Sequence, residues 1–93
     1  MKQFTIDFAN VKTYYNFYEA IIKGLQLPDW CGKNPDAIWD MLTGYMEFPA
    51  TIRMQGIALL PKDLESEMNM LTDMFQEISA TYDYTRFTLI ILS

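Results

Sequence analysis

The chain has 93 residues, of which 51% are hydrophobic, and this content excludes an intrinsically disordered protein. One domain covering residues 1–93, with a single core, is expected at this length. Twelve acidic residues against seven basic ones give a net charge of −5, which argues against nucleic-acid phosphates and anionic membranes as partners, because both bind clustered lysine and arginine.

Histidine is absent, and Cys31 is the only cysteine. The usual general base and the commonest metal ligand are therefore missing, and neither an internal disulfide nor a Cys/His zinc site can form. The opening segment, KQFTIDF, does not read as a signal peptide, and no apolar stretch is long enough to span a bilayer. These features predict a cytoplasmic protein that is not an enzyme and has no cofactor or metal.

The first two elements predicted along the chain are a strand and a helix. From Lys2 to Phe8, apolar and polar residues alternate, which is typical of a half-buried strand. A helix is predicted from about Thr13 to near Gly24, because apolar residues recur there at helical spacing. They are Tyr14, Phe17, Tyr18, Ile21, Ile22 and Leu25.

A loop from Leu27 to Lys33 leads into a second, short helix. Asn34 is a favourable N-cap, and Pro35 suits the first helical position because its missing N–H would be unpaired there anyway. The helix is expected to reach about Thr43 and to stop at Gly44. Its helical wheel separates an apolar side (Ile38, Met41, Leu42 and Tyr45) from a polar side (Asp36, Asp40 and Thr43), with Trp39 at the edge.

The last three predicted elements are a strand, a long helix and a strand. Ala50 to Leu60 is apolar and partly β-branched, which predicts a strand ended by Pro61. The long helix is indicated by Leu64, Met68, Leu71, Phe75, Ile78 and Tyr82, which follow a 4-3-4-3-4 spacing. The apolar run from Arg86 to Leu92 predicts a fully buried strand.

This order of elements predicts an α/β fold of two layers. Strands joined by helical crossovers favour a parallel sheet with right-handed connections. With only three strands, the helices are expected to pack mainly on one face of the sheet.

Asp36 and Asp40 are the most informative polar residues, because like charges four apart on a helix cost about 0.2–0.5 kcal/mol. Asp36 complements the helix dipole, but Asp40 has no Lys or Arg three or four residues away. Two interpretations remain open: an ordinary solvated helix face, and a negative surface that steers a basic protein. A glycosidase-type acid/base pair is disfavoured, because an outward face on a short helix provides no enclosing cleft.

The segment LPDWCGKNPDAIWDMLTGYMEFP, from Leu27 to Pro49, closely resembles the signature of the barstar family, intracellular inhibitors of the secreted ribonuclease barnase. The spacing fits without a gap from Leu27 to Glu77, and the terminal TLIILS resembles the family's last strand. The resemblance implies three parallel strands with helices packed against them. It also implies a single protein partner, a basic ribonuclease of the barnase type.

The resemblance further implies which residues bind that partner. Asp40 would take the place of the substrate phosphate, Asp36 would pair with a second basic group, and Trp30 would stack on the catalytic histidine of the nuclease. Glu77 would supply an outlying acidic contact. The remaining residues expected around the contact are Gly32, Asn34, Trp39, Thr43, Gly44 and Tyr45.

The chain also departs from the family pattern. Trp30 stands where the family commonly has tyrosine, Cys31 where it often has a second aromatic residue, and Tyr45 where it has tryptophan. About three extra residues around Thr81 to Thr85 lengthen the loop before the last strand. The target therefore need not be barnase itself. The second candidate function is an interaction module for a different basic protein, and an enzyme or small-ligand carrier is disfavoured by the missing histidine. A monomer is expected.

Overall fold

The computed structural model describes residues 2–82 and 87–92. Its elements follow the predicted order of strand, helix, helix, strand, helix and strand. They are β1 (Lys2–Asp7), α1 (Tyr14–Gly24), α2 (Pro35–Gly44), β2 (Ala50–Gln55), α3 (Glu65–Thr81) and β3 (Phe87–Ile91), with short 3-10 turns at Ile57–Leu59 and Lys62–Leu64.

The three strands form one parallel sheet in the order β1-β2-β3. Ile52 at the centre of β2 pairs with Phe4 of β1 and Leu89 of β3, which fixes the register across the sheet. The predicted three-stranded parallel sheet is confirmed. The two helical crossovers allow this topology, because parallel neighbours cannot be joined by a tight turn.

The sheet buries one face against the helices and leaves the other largely polar. Side chains alternate along β2, so that Ile52 and Met54 are buried while Arg53 between them is exposed. In the same register, Thr5 of β1 lies beside Arg53 on the polar face. All three helices add to the core on the other face, with Phe17 and Ile21 from α1, Ile38 and Leu42 from α2, and Phe75 and Ile78 from α3. The predicted two-layer arrangement is confirmed.

Strand β2 ends at Gln55, five residues before the predicted end at Leu60. The reason is Gly56, whose φ of +76° lies in the left-handed region and turns the chain away from the sheet. A Cβ added there would lie 2.6 Å from the Ala9 nitrogen, so a larger residue has no room. The following apolar residues form a 3-10 turn in which Leu59 is exposed.

The prediction of a fully buried last strand is wrong. Strand β3 lies at the edge of the sheet, and only one face of that sheet carries helices. Thr88 is therefore exposed, and Ile91 near the strand's end keeps 56% of its surface exposed. The predicted start of this strand at Arg86 and most of the lengthened loop at 81–85 lie outside the described residues. No described helix is long and apolar enough to cross a membrane.

Candidate partner-binding surface

The start of α2 is fixed by the side chain of Asn34. Its Oδ1 accepts a hydrogen bond of 2.9 Å from the Ala37 N–H, and Pro35 occupies the first helical position, so the predicted N-cap is confirmed. The preceding loop packs closely on this first turn. A Cβ added at Gly32 would lie 2.9 Å from Asn34 Nδ2 and 3.1 Å from Ala37 Cβ. Gly32 therefore lets the loop approach the cap.

Helix α2 buries its apolar side in the core and presents its two carboxylates to solvent. Ile38 and Leu42 are buried in the core, whereas Asp36 and Asp40 are both exposed. Residues four apart on a helix have Cβ atoms about 5–6 Å apart, so the two carboxylates form one acidic patch. Thr43, on the same predicted polar side, is half-buried and donates a hydrogen bond of 2.8 Å to the Trp39 carbonyl.

Aromatic side chains flank α2 at both ends. Trp30 in the preceding loop is 73% exposed. Tyr45, which the helical wheel groups with Ile38 and Leu42, is exposed instead, because the helix ends at Gly44, one residue before it. Gly44 is the last helical residue, and the predicted stop lies within one residue of the observed end. The two exposed aromatics thus flank α2 along the chain, Trp30 before its N-cap and Tyr45 directly after its last residue.

A groove of about 400 Å³ runs between α2 and α3 and brings Trp39 and Glu77 together. Trp39 is half-buried, and its ring meets that of Tyr82 edge-on at 6.3 Å between centroids. Glu77 is exposed on the α3 side. Asp73, one turn before Glu77, lines the same groove and is not among the residues that the sequence predicted for the site. Its spacing of four from Glu77, on a helix without bases, is the signal that could have identified it.

The acidic groups of α2 and α3 are not neutralised within the described part of the chain. The single ion pair found there joins Lys2 and Glu47 at 3.8 Å, and both of its members are exposed. Neither helix carries a basic residue in its last turn. Within residues 2–82 and 87–92, no three acidic or cysteine side chains are grouped so as to hold a metal ion. The surface therefore offers negative charge and aromatic area.

Cys31 points into the core and is only 3% exposed. Burial raises the pKa of its thiol, and the nearby Lys33 charge opposes that rise only in part. The Sγ lies 3.6 Å from the Gly32 carbonyl, which it can contact as a weak donor. The thiol is therefore packed in the core, and a neutral thiol is a poor nucleophile.

Lys33, the one base in this acidic segment, makes a contact that the sequence reasoning missed. Its Nζ lies 5.2 Å from the ring centroid of Tyr15 on α1, within cation–π range. Tyr15 falls outside the apolar stripe of α1 and is 55% exposed. An aromatic residue off the buried stripe is the signal that could have pointed to a surface role.

Fold and surface together define a small acidic α/β protein that exposes a loop and a helix with carboxylate and aromatic side chains. The sequence profile of the family described as Barstar (barnase inhibitor) matches residues 1–93, so the chain belongs to the barstar family. It is also similar to a Bacillus subtilis (strain 168) protein named "Putative ribonuclease inhibitor YrdF". The two are 30% identical over 71 residues, which are 76% of this chain and 75% of that protein.

Proposed function

We propose that this protein inhibits a basic ribonuclease by placing the loop before α2, and α2 itself, in the nuclease active site. One observation carries the proposal. Asp36 and Asp40 are exposed on a helix that is anchored in the core, and no described side chain pairs with either carboxylate. Family membership and the name of the Bacillus subtilis relative support an inhibitory role.

The mechanism is substitution of a carboxylate for the RNA phosphate. A ribonuclease must concentrate positive charge where its substrate's phosphate binds, and fixed carboxylates offer that pocket a complementary potential. Asp40 takes the central phosphate position, and Asp36 pairs with a second basic group. The Asn34 cap fixes the start of α2, so little ordering is needed on binding.

Other residues complete the contact around these carboxylates. Trp30, whose indole is exposed in the loop, stacks on the catalytic histidine of the nuclease. Glu77 reaches an outlying basic group across the groove beside Trp39. The rim consists of Gly32, Asn34, Thr43, Gly44 and Tyr45.

The protein acts in the cytoplasm as a single domain and a monomer. The buried, unpaired Cys31 thiol is compatible with a reducing compartment. There the inhibitor would meet a secreted-type ribonuclease before export. Blocking the active site needs no catalytic group on this chain.

The direct test is titration of barnase with this protein while RNA cleavage is followed with a fluorogenic substrate. We expect cleavage to fall in proportion to added protein and to stop near equimolar amounts. Binding of barnase without loss of cleavage would contradict the proposal and favour an interaction module. Absence of binding, shown by calorimetry at the same concentrations, would contradict a barnase-type target.

A further inference from the structure

We propose that Tyr15 is a positioning residue that holds the Lys33 ammonium away from Asp36 and Asp40. The acidic face of α2 then keeps its full negative charge for the encounter with a basic ribonuclease. This inference rests on the proposed function, and it concerns a residue of α1 outside the binding surface described above.

Lys33 is the one base between Asp29 and Glu47. It directly precedes the N-cap of α2, three residues before Asp36. Lys33 lies outside the helical turn, but its long, flexible side chain can reach an aspartate of that turn and pair with it. Such a pair would neutralise one of the two carboxylates on which the proposed inhibition depends.

In the structure, Lys33 is not paired with Asp36 but lies against α1. Its Nζ lies over the Tyr15 ring at 5.2 Å from the centroid, and no carboxylate in the described part of the chain is within 4.0 Å of it. The face of an aromatic ring is negative and attracts an ammonium. The N-terminus of α2 carries a partial positive charge that disfavours a nearby cation. Both effects favour the position over α1.

The consequence is kinetic. Charge complementarity mainly sets the rate at which charged proteins associate, and salt screens it. If Lys33 is released to Asp36, we expect association to slow by about two- to fivefold at low salt and hardly at all at high salt.

Two variants at one position separate the ring from the side-chain bulk. Tyr15→Leu removes the π face but leaves an apolar side chain, whereas Tyr15→Phe keeps the face. Stopped-flow association with barnase at low and high salt is the measurement. We expect Tyr15→Leu to be slowed at low salt only and Tyr15→Phe to match the parent. In a Lys33→Gln background, Tyr15→Leu should have no effect.

Nuclear magnetic resonance of the free protein gives a readout that needs no ribonuclease. In the parent and in Tyr15→Phe, the Lys33 side-chain protons should be shifted upfield by the ring. In Tyr15→Leu the shift should vanish, and a nuclear Overhauser contact from Lys33 to Asp36 should appear. Loss of the upfield shift without that contact, or unchanged association of Tyr15→Leu at low salt, overturns the inference.

The two proposals fail in different ways. If the parent does not bind barnase, a barnase-type target is contradicted, and the resonance data alone decide whether Tyr15 keeps Lys33 from Asp36. If the parent binds and inhibits but Tyr15→Leu behaves like the parent in both measurements, only the positioning role is wrong.

Discussion

Trp30 exposes 73% of its surface although it is one of the largest apolar side chains in the protein. A side chain so exposed adds little to folding, so Trp30→Ala should leave the free energy of unfolding within about 0.5 kcal/mol of the parent. Loss of a buried hot-spot contact costs about 2 kcal/mol or more, roughly thirtyfold in affinity. Because stacking acts after encounter, we expect the dissociation rate to rise more than the association rate falls.

Surface plasmon resonance against immobilised barnase separates these two rates. Leu59→Ala is the matched control, because Leu59 is also an exposed large apolar residue but lies in the turn after β2. It should dissociate like the parent. A Trp30→Ala variant that also dissociates like the parent would show that the indole does not contact the nuclease.

Cys31 gives a prediction about pH. Burial raises the pKa of its thiol above the ordinary value, so the folded state prefers the neutral form more than the unfolded state does. This preference contributes to the free energy of unfolding. The contribution is complete below the pKa of the thiol in the unfolded state, and it is lost as pH rises through the pKa in the folded state. We therefore expect unfolding to become easier above about pH 8.5, where an unfolded thiol ionises. Thermal melts of the parent and Cys31→Ala across this range measure the difference.

A thiol-reactive reagent checks the same residue at neutral pH. Native protein should react far more slowly than protein unfolded in urea, because only the thiolate is nucleophilic. Equal rates would mean that Cys31 is accessible in solution.

Helix α2 is the element on which the proposed inhibition depends, and its cap can be tested alone. Asn34→Ala removes the side-chain acceptor for the Ala37 N–H and should cost about 0.5–2 kcal/mol of stability. Asn34→Asp keeps an acceptor at the N-cap and should remain close to the parent. Urea unfolding measures both. If the alanine variant is as stable as the aspartate variant, the cap does not fix this helix.

The helices and the order of elements along the chain were predictable from local signals. The 3.6-residue period marks α1 and α3, and the Asn34–Pro35 pair marks the start of α2 to the residue. The end of β2 was not predictable from the apolar run, because Gly56 turns the chain within it. The exposure of β3 depends on its place at the sheet edge, which is a property of the assembled sheet.

The candidate surface was predictable only in part. The exposed carboxylates Asp36 and Asp40 follow from the helical wheel of α2. Tyr45 does not follow from it, because this residue lies one position beyond the last helical residue, where the wheel no longer applies. The contacts of Lys33 with Tyr15, and the groove shared by α2 and α3, join segments far apart in sequence. Contacts between distant segments produce no periodic pattern in the sequence, so they could not be predicted from it.

At the scale of the whole molecule, the net charge of −5 predicts strongly salt-dependent association. The Debye length shrinks from about 30 Å at 0.01 M salt to about 3 Å at 1 M, so long-range steering is lost across that range. We expect the association rate with barnase to fall by about tenfold or more, with a much smaller change in dissociation. Stopped-flow mixing over a salt series tests this. An association rate that does not change with salt concentration would contradict electrostatic steering.

The central claim is that a carboxylate on α2 stands in for the RNA phosphate. Asp40→Asn tests it by removing the charge with almost no change in shape. Glu19→Gln is the matched control, because it removes the same charge from an exposed position on α1, where the amide oxygen can still accept from Asn16.

The one measurement is the dissociation constant of both variants for barnase, with thermal unfolding recorded beside it. Asp40→Asn should bind at least about thirtyfold more weakly than the parent, with unchanged thermal unfolding. Glu19→Gln should bind within a few-fold of the parent. Equal affinities for the two variants would contradict the phosphate-mimic account.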